Sequence, residues 1–355
     1  MKAVLKMPLK VGLTYNLIRK ENMEGRPLDS IAELDSEETV DAVKNALESA
    51  GHKVVLIEAD LDVYSKLRSS VVDIVFNIAE GLRGESRESH VPVLCEMLGI
   101  PYTGSGPLTL AICLNKARTK EILNQYNIPT AKHQVFRTPE DRLDQNLKYP
   151  LIVKLLHEGS SMGLDNEKSI IENEGDLRAW VKYLIDTYKE PVIVEEFLSG
   201  REFTIPVLGY KDPLLLPIIE IIFKKGYRIN LFVPDDPVVP LINNAGRRGE
   251  VKEPPAESVC PAKIPSGLEN RIRTTTLATF KALDMRDWCR MEMRLDSQGV
   301  PNVLEVNPIA GIDPTYWLPK SARAADISYD KLINIILDSA LDRYCFSEEK
   351  RWASL

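Results

Sequence analysis

The chain has 355 residues, of which 44% are hydrophobic and 27% charged, a balance typical of globular proteins with apolar cores. Its 45 lysines and arginines are outnumbered by 52 aspartates and glutamates, giving a formal net charge of -7, which argues against a nucleic-acid-binding surface and against a basic face attracted to membranes. The 5 cysteines form no C-x-x-C pair and the 4 histidines form no H-E-x-x-H motif, which argues against a disulfide framework and a zinc site and predicts a cytoplasmic protein.

The first third of the chain predicts alternating strands and helices. Residues Lys10–Tyr15 form a short apolar run typical of a strand, and apolar residues recur at helical spacing over Ser36–Ala50. Residues 53–58 and 71–77 are apolar runs typical of buried strands. This alternation predicts a parallel sheet covered by helices.

The remaining chain predicts a mixture of helices and strands. The patterns favour helices over residues 107–126, 176–188, 268–282 and 329–340, and strands over residues 149–155, 191–197, 202–208, 289–295 and 303–306. Residues 223–261 are polar and rich in proline, glycine and asparagine, so we expect a long loop that acts as a lid.

The strand pair near residue 300 carries the most informative polar residues. Arg290 and Glu292 are two positions apart and therefore share one face of a strand, as do Glu305 and Asn307. If the strands pair, two carboxylates, an amide and an arginine converge, which suits Mg²⁺ holding nucleotide phosphates. The alternative is the solvated face of an amphipathic hairpin.

A second cluster combines a strand lysine with a loop of small residues. Lys154 ends an apolar run, and Glu158–Gly163 supplies backbone N–H groups that an anion can approach closely. An ordinary glycine-serine turn would look similar. Residues 159–163 also satisfy the G-x-S-x-G motif of serine hydrolases, but the following residues lack the helical pattern that this motif requires.

A third segment, residues 192–202, is an apolar strand that ends in two glutamates, a phenylalanine and a leucine, and this pattern is compatible with an adenine and ribose site. Residues 104–109 fail the G-x-G-x-x-G pattern because Thr109 occupies the place of the third glycine, and no G-x-x-x-x-G-K-[ST] motif occurs. Nicotinamide and P-loop nucleotide sites are therefore poorly supported.

In order and spacing, these segments resemble the ATP-grasp superfamily, and within it the D-alanine–D-alanine ligase family. The resemblance is carried by residues 77–81, 84–85, 98–106, 115–120, 128–130, 153–163, 195–202, 260–262, 290–292 and 305–308. It implies an α/β ATP-grasp fold of three domains: a Rossmann-like parallel sheet over residues 1–112, and two α+β domains over residues 113–199 and 200–355 that clasp ATP.

The resemblance also implies a role for each matching residue. ATP phosphates would meet Lys116, Lys154, Glu158, Ser160 and Ser161, while adenine and ribose would be bordered by Glu195, Phe197, Leu198 and Glu202. Mg²⁺, with Mn²⁺ as an alternative, would be held by Glu292, Glu305 and Asn307. Catalysis would involve Arg290 at the oxyanion, Ser160 near the first substrate, and Lys252 from the 223–261 loop at the γ-phosphate.

Both amino-acid pockets depart from the family pattern. Glu80 replaces a histidine, and after Gly311 the pair Tyr316-Trp317 replaces the Ser-Leu pair that grips the second substrate's carboxylate. For the glutamate that positions the first amino acid, Asp35, Glu37 and Glu38 compete, and we choose Glu37. The implied substrate residues are therefore Glu37, Glu80, Gly311, Tyr316 and Trp317.

These features predict an ATP-dependent ligase that joins a small-molecule acid to an amine through an acyl phosphate. The open alternatives are a strict D-alanine–D-alanine ligase, a non-catalytic ATP-binding protein and a serine hydrolase. The family resemblance implies a homodimer, and we expect no nucleic-acid or membrane partner.

Overall fold

We describe a computed structural model that covers residues 8–18, 27, 29, 33–229 and 255–345, together with the backbone of residues 242–243 and 247–248. Within these residues the strands form one parallel sheet, two larger antiparallel sheets and a short two-stranded ribbon. No helix in the described part of the chain has the length and apolar character needed to cross a membrane.

The N-terminal part is built on a parallel sheet, as the sequence predicts. Strands β1, β2 and β3 pair in the order β2-β1-β3 and span Lys10–Tyr15, Lys53–Glu58 and Ile74–Asn77. Helices α1, α2 and α3 span Glu37–Ser49, Val63–Ser70 and His90–Leu98, of which α2 and α3 were not predicted. Helix α1 begins where Ser36 accepts a hydrogen bond from the Thr39 N–H at 3.2 Å.

The predicted single helix over residues 107–126 is wrong, because the chain forms two helices there. Helices α4 (Pro107–Leu114) and α5 (Lys116–Gln125) are separated by Asn115, which has an extended backbone. The Asn115 side chain accepts a hydrogen bond from the Arg118 N–H at 3.1 Å and so caps α5. Asparagine favours this capping position over a helix interior.

A four-stranded antiparallel sheet follows in the order β4-β7-β5-β6. Its strands β4, β5, β6 and β7 span His133–Phe136, Leu151–Leu155, Ile170–Ile171 and Val192–Glu196. Helix α6 (Glu174–Tyr188) covers this sheet with a buried stripe of Leu177, Trp180, Val181 and Leu184. The amphipathic pattern of the helix and the apolar runs of β5 and β7 made these elements predictable.

The last third forms the largest sheet, in the order β13-β10-β8-β14-β15, with β9 paired to β8. Strands β8 to β15 span Glu202–Gly209, Leu214–Leu215, Ile219–Phe223, Ile242–Asn243, Arg247–Arg248, Ala256–Val259, Asp287–Leu295 and Pro301–Asn307. Helices α7, α8 and α9 span Ser266–Ala282, Trp317–Ala324 and Tyr329–Arg343. The loop predicted over 223–261 is thus corrected at its ends, because Phe223 and Ala256 pair across β10 and β13.

The two ends of the described chain share one core. Helix α9 buries Leu332, Ile333, Ile336 and Leu337 in the same cluster as Val11 and Leu13 of β1 and Val43 and Leu47 of α1. The C-terminal helix therefore packs against the N-terminal domain, across the boundaries predicted at residues 112 and 199. Those boundaries stay predictions.

Candidate functional site

The polar residues predicted to converge near residue 300 do so on a β-hairpin. Strands β14 and β15 are antiparallel, with Arg290 opposite Asn307 and Glu292 opposite Glu305. The register shifts just after Glu292, which marks a β-bulge beside the carboxylate pair. The other face of β14 is buried, so the polar side chains stand together on one face of the sheet.

Lys116 joins this hairpin to the glycine-serine loop. Its Nζ lies 3.0 Å from Glu305 Oε1 and also donates a hydrogen bond to the backbone oxygen of Glu158. Burial alone would lower the pKa of Lys116, but the Glu305 carboxylate outweighs it and raises the pKa. The pKa of Glu305, which burial would raise, is lowered by Lys116 and Lys154. Both groups are therefore charged at neutral pH.

Lys154 belongs to a buried cluster of two lysines and one glutamate. Glu195 lies 3.1 Å from Lys154 Nζ and 3.2 Å from Lys120 Nζ, and Lys120 also donates a hydrogen bond to Thr130 Oγ1 at 3.0 Å. Burial would raise the pKa of Glu195, but the two lysines hold it at about 2. The Glu195 carboxylate thus orients Lys154, and its predicted contact with adenine or ribose stays a prediction.

Two other residues predicted to border adenine and ribose, Phe197 and Glu202, contact Arg294. The Arg294 guanidinium lies over the rings of Phe197 and Phe223, with centroid distances of 4.9 Å and 5.0 Å. It is 3.4 Å from Glu202, whose pKa is raised to about 7 by burial against the opposing effect of Arg294. Leu198, the residue after Phe197, is partly exposed. This cluster places a buried carboxylate beside two aromatic rings that stack on a cation, and its predicted contact with adenine and ribose stays a prediction.

The glycine-serine loop has the tight backbone that the sequence suggests. Ser160 and Ser161 have positive φ angles of 48° and 59°, and no helix begins until α6 at Glu174. The serine-hydrolase alternative is therefore wrong, because its nucleophile requires a helix directly after the loop. Ser160 is exposed, and Glu158 is held by Arg87 at 2.8 Å.

Arg290 has three neighbours that fix its guanidinium. It donates hydrogen bonds to Thr204 Oγ1 at 3.2 Å and to Glu292 Oε1, and its Cζ atom lies 4.8 Å from the centroid of the Trp317 ring. Tyr316 packs over Gly311 so closely that a Cβ atom there would lie 2.6 Å from its ring. Gly311 therefore accepts no larger residue while Tyr316 stays in place.

Two acidic side chains contact the glycine-serine loop, Glu33 at Gly159 and Asp29 at Gly163, while the role predicted for Glu37 at the first substrate stays a prediction. Glu33 accepts a hydrogen bond from the Gly159 N–H at 2.6 Å and lies 2.5 Å from Arg87, whereas Glu37 is exposed in the first turn of α1. The sequence did not show this, because Glu33 lies outside any helical or strand pattern. Its contact with Arg87 spans 54 positions of the chain.

Glu80, the replacement for the family histidine, lies among other acidic groups. Its pKa is raised well above the usual value by burial and by the charges of Glu33, Glu88 and Asp35, with Arg87 opposing them. The pKa of Asp35 is raised to about 8, chiefly by burial. Several carboxyl groups are therefore crowded around Glu80, and the raised pKa values of Glu80 and Asp35 favour their protonated, uncharged forms.

The hairpin offers donors that fit a hard divalent cation. Glu292 and Glu305 are partly exposed, with 22% and 23% of their side chains accessible, and Asn307 lies next to Glu305 on the same face. The Asn307 amide nitrogen is buried without a hydrogen-bond partner. Oxygen donors of this kind suit Mg²⁺. The described residues contain no cluster of three or more histidine, cysteine, aspartate or glutamate side chains with metal-binding geometry.

The remaining predicted residue, Lys252, lies outside the described residues. Sequence reasoning missed Lys120, Glu33 and Arg87 as members of the site. Lys120 offered a signal, because it follows Lys116 by one helical turn and so shares its face of α5. Arg87 offered none, since its partners lie far away in the sequence.

Comparisons with known proteins find matches in sequence and in fold. A family profile described as D-ala D-ala ligase C-terminus matches residues 122–338. The chain is 31% identical to a D-alanine–D-alanine ligase of Pelotomaculum thermopropionicum, over 95% of this chain and 98% of the relative. It is 34% identical to the uncharacterized protein y4sG of Sinorhizobium fredii, over 86% and 88% of the two chains.

The solved structure of the Bacillus anthracis D-alanine–D-alanine ligase complexed with ATP matches the fold with a TM-score of 0.70 at 24% identity, covering 94% of this chain and 98% of that one. The predicted ATP-grasp fold is therefore confirmed. By sequence, by extent of the match and by fold, this chain belongs to the D-alanine–D-alanine ligase family.

Proposed function

We propose that the chain is an ATP-dependent carboxylate–amine ligase that forms an amide bond and releases ADP and phosphate. One observation carries this proposal: Lys116 bonds to Glu305 on the hairpin and to the backbone of Glu158 in the glycine-serine loop. Lys116 therefore links the carboxylates proposed to bind Mg²⁺ to the loop proposed to bind phosphate. Two of the named relatives, the ligases of Pelotomaculum and Bacillus anthracis, support the same reaction class.

The chemistry follows from the charges around that space. A carboxylate oxygen of the first substrate attacks the γ-phosphorus of ATP, the bond to ADP breaks, and the resulting acyl phosphate has a good leaving group. Lys116 and Lys154 hold the phosphates, and bound Mg²⁺ would neutralise the transferring phosphoryl group. The amine then attacks the acyl carbon, phosphate leaves, and the amide forms after proton loss.

Arg290 supports the second step. Its guanidinium lies on the same face as Glu292 and Glu305, so it can stabilise the oxyanion that develops when the amine attacks. Thr204 and Trp317 restrict its position. Ser160 and Ser161 in the glycine-serine loop, together with Lys252, complete the proposed set of phosphate and first-substrate contacts.

The substrate pair remains open between two D-alanines and another acid and amine. Tyr316 and Trp317 favour the second option, because aromatic rings occupy the place where the family grips a carboxylate. ADP release measured with a panel of D- and L-amino acids separates the two options. Dependence on D-alanine alone supports the strict ligase, and dependence on another pair supports an altered one. Homodimer formation and a cytoplasmic location stay predictions.

Glu305→Gln tests the proposal directly. We expect Mg·ATP-dependent phosphate release to fall about 10²–10³-fold, because one charge partner of the transferring phosphate is lost. The control is Glu257→Gln, which removes an exposed carboxylate from the same sheet. Near-normal turnover by a folded Glu305→Gln protein contradicts the proposal, as does an equal loss in the control.

A further inference from the structure

The Trp317 ring lies against Arg290. This contact suggests a role for Trp317 other than the substrate contact that the sequence implied. The Arg290 Cζ atom is 4.8 Å from the ring centroid, within the range of a cation–π contact. Only 15% of the Arg290 side chain is exposed, so the contact is partly desolvated and stronger than at a free surface. Trp317 is the first residue of α8, where it follows Tyr316 at the N-cap.

Arg290 needs the contact with Trp317 because its ion-pair partner, Glu292, has a second proposed task. Glu292 accepts a hydrogen bond from Arg290, yet it is also one of the carboxylates that fit a divalent cation. A carboxylate that binds a cation holds a neighbouring guanidinium less firmly. Thr204, at 3.2 Å, and the Trp317 ring then remain to keep Arg290 in place.

We propose that Trp317 is a positioning residue, whose ring fixes the plane of the Arg290 guanidinium for the amine-attack step. This inference rests on the proposed ligase function. Trp317 acts through Arg290, and a planar guanidinium is well suited to stacking on an aromatic ring.

The test compares Trp317→Leu with Trp317→Phe. We expect Trp317→Leu to lower kcat roughly tenfold, since the cation–π contact is lost, with KM for ATP and nucleotide binding by calorimetry unchanged. Trp317→Phe keeps an aromatic face and recovers most of kcat. Ala324→Ser, a change at the exposed last residue of α8, controls for general disturbance of the helix and keeps wild-type kcat.

A double-mutant cycle separates positioning from a direct substrate contact. In an Arg290→Gln background, which has no cation for the ring to contact, Trp317→Leu lowers kcat no further, because its effect runs through the guanidinium. Full additivity overturns the inference, as does a Trp317→Leu protein with wild-type kcat or with only a raised KM for the amine. A wild-type protein that releases no ADP with any amino acid overturns the ligase function itself, so the two failures are distinguishable.

Discussion

At the scale of single residues, Glu195 is held by two cations. It is buried between Lys120 and Lys154, and those two cations are the reason that its pKa is about 2 despite burial. Lys120 is fully buried, and without Glu195 it would be an unpaired buried charge, which is costly. Glu195 therefore stabilises the fold and positions Lys154 at the same time.

Glu195→Gln is expected to lower the free energy of unfolding at pH 7 by about 3 kcal/mol, because two buried lysines lose their counter-ion. The pKa of Glu195 falls on folding from its usual 4.5 to about 2. Its contribution is thus complete above pH 4.5 and is lost as the pH falls toward 2. Urea unfolding between pH 3 and 7 should show the gap between wild type and variant shrinking with acidity.

Glu196→Gln is the matched control for that measurement. Glu196 follows Glu195 on β7 but is partly exposed and lies 3.9 Å from Lys132. Exposed ion pairs contribute about 0–1 kcal/mol. Equal losses of stability in the two variants would contradict the assignment of Glu195 as the buried counter-ion.

At the scale of elements, Asn115 sets the direction in which Lys116 points. It ends α4, caps α5 and contacts His157 Nε2 through its amide at 3.0 Å. Lys116, which is proposed to bind phosphate, is the first residue of α5, so the Asn115 cap orients the end of the helix that carries it. A continuous helix over this segment would turn Lys116 to another face.

Asn115→Ala is expected to lower the free energy of unfolding by about 1 kcal/mol, the usual cost of a lost cap, and to raise KM for ATP. Asn115→Asp keeps the capping oxygen but removes the amide contact with His157, so it should retain more stability than alanine. Chemical unfolding and steady-state kinetics measure both effects. An Asn115→Ala protein with unchanged stability and unchanged KM would contradict the capping role.

The sequence predicted the elements better than their contacts, for physical reasons. The apolar runs of β1 and β2 predicted the bounds of both strands, and those bounds agree with the structure. The prediction that β2 is buried is wrong, because β2 lies at the edge of the sheet and only its Ile57 is buried. The β14–β15 pairing was also predictable, because side chains alternate along strands. The prediction of a single helix over residues 107–126 followed the apolar pattern on either side of Asn115 and gave no weight to the preference of asparagine for a capping position.

Contacts between distant segments left no such local signal. The Trp317 ring on Arg290 and the carboxylate of Glu33 on Gly159 depend on how separate elements pack. A substitution such as Tyr316-Trp317 for Ser-Leu indicates that a pocket differs, but the sequence does not show which side chain the rings meet. The structure supplies that partner for Trp317.

At the scale of the whole molecule, Arg87 connects the N-terminal part of the chain to the start of the glycine-serine loop. Its guanidinium lies 2.5 Å from Glu33 and 2.8 Å from Glu158, and it donates a hydrogen bond to the His157 backbone oxygen at 3.1 Å. Burial would lower its pKa, but the two glutamates raise it. Arg87 is thus a buried cation shared by carboxylates from two parts of the chain.

Arg87→Met should leave those carboxylates facing each other without a cation, at a cost of about 3–5 kcal/mol in the free energy of unfolding. Burial raises the pKa of Glu158 to about 7 while Arg87 opposes it, so the variant's Glu158 has a still higher pKa. When folding raises the pKa of an acid, the folded state loses stability as the pH rises toward that raised pKa. The deficit against wild type should therefore widen between pH 7 and 9.

Urea unfolding at pH 6, 7.5 and 9 measures this deficit, with Arg83→Met as the control, an exposed arginine in the same loop. The control should lie near wild type at every pH, because its charge is solvated. A deficit for Arg87→Met that is small, or that stays constant with pH, means that the two parts of the chain are held together by other contacts. A deficit that grows with pH places the linkage on Arg87 and its two carboxylates.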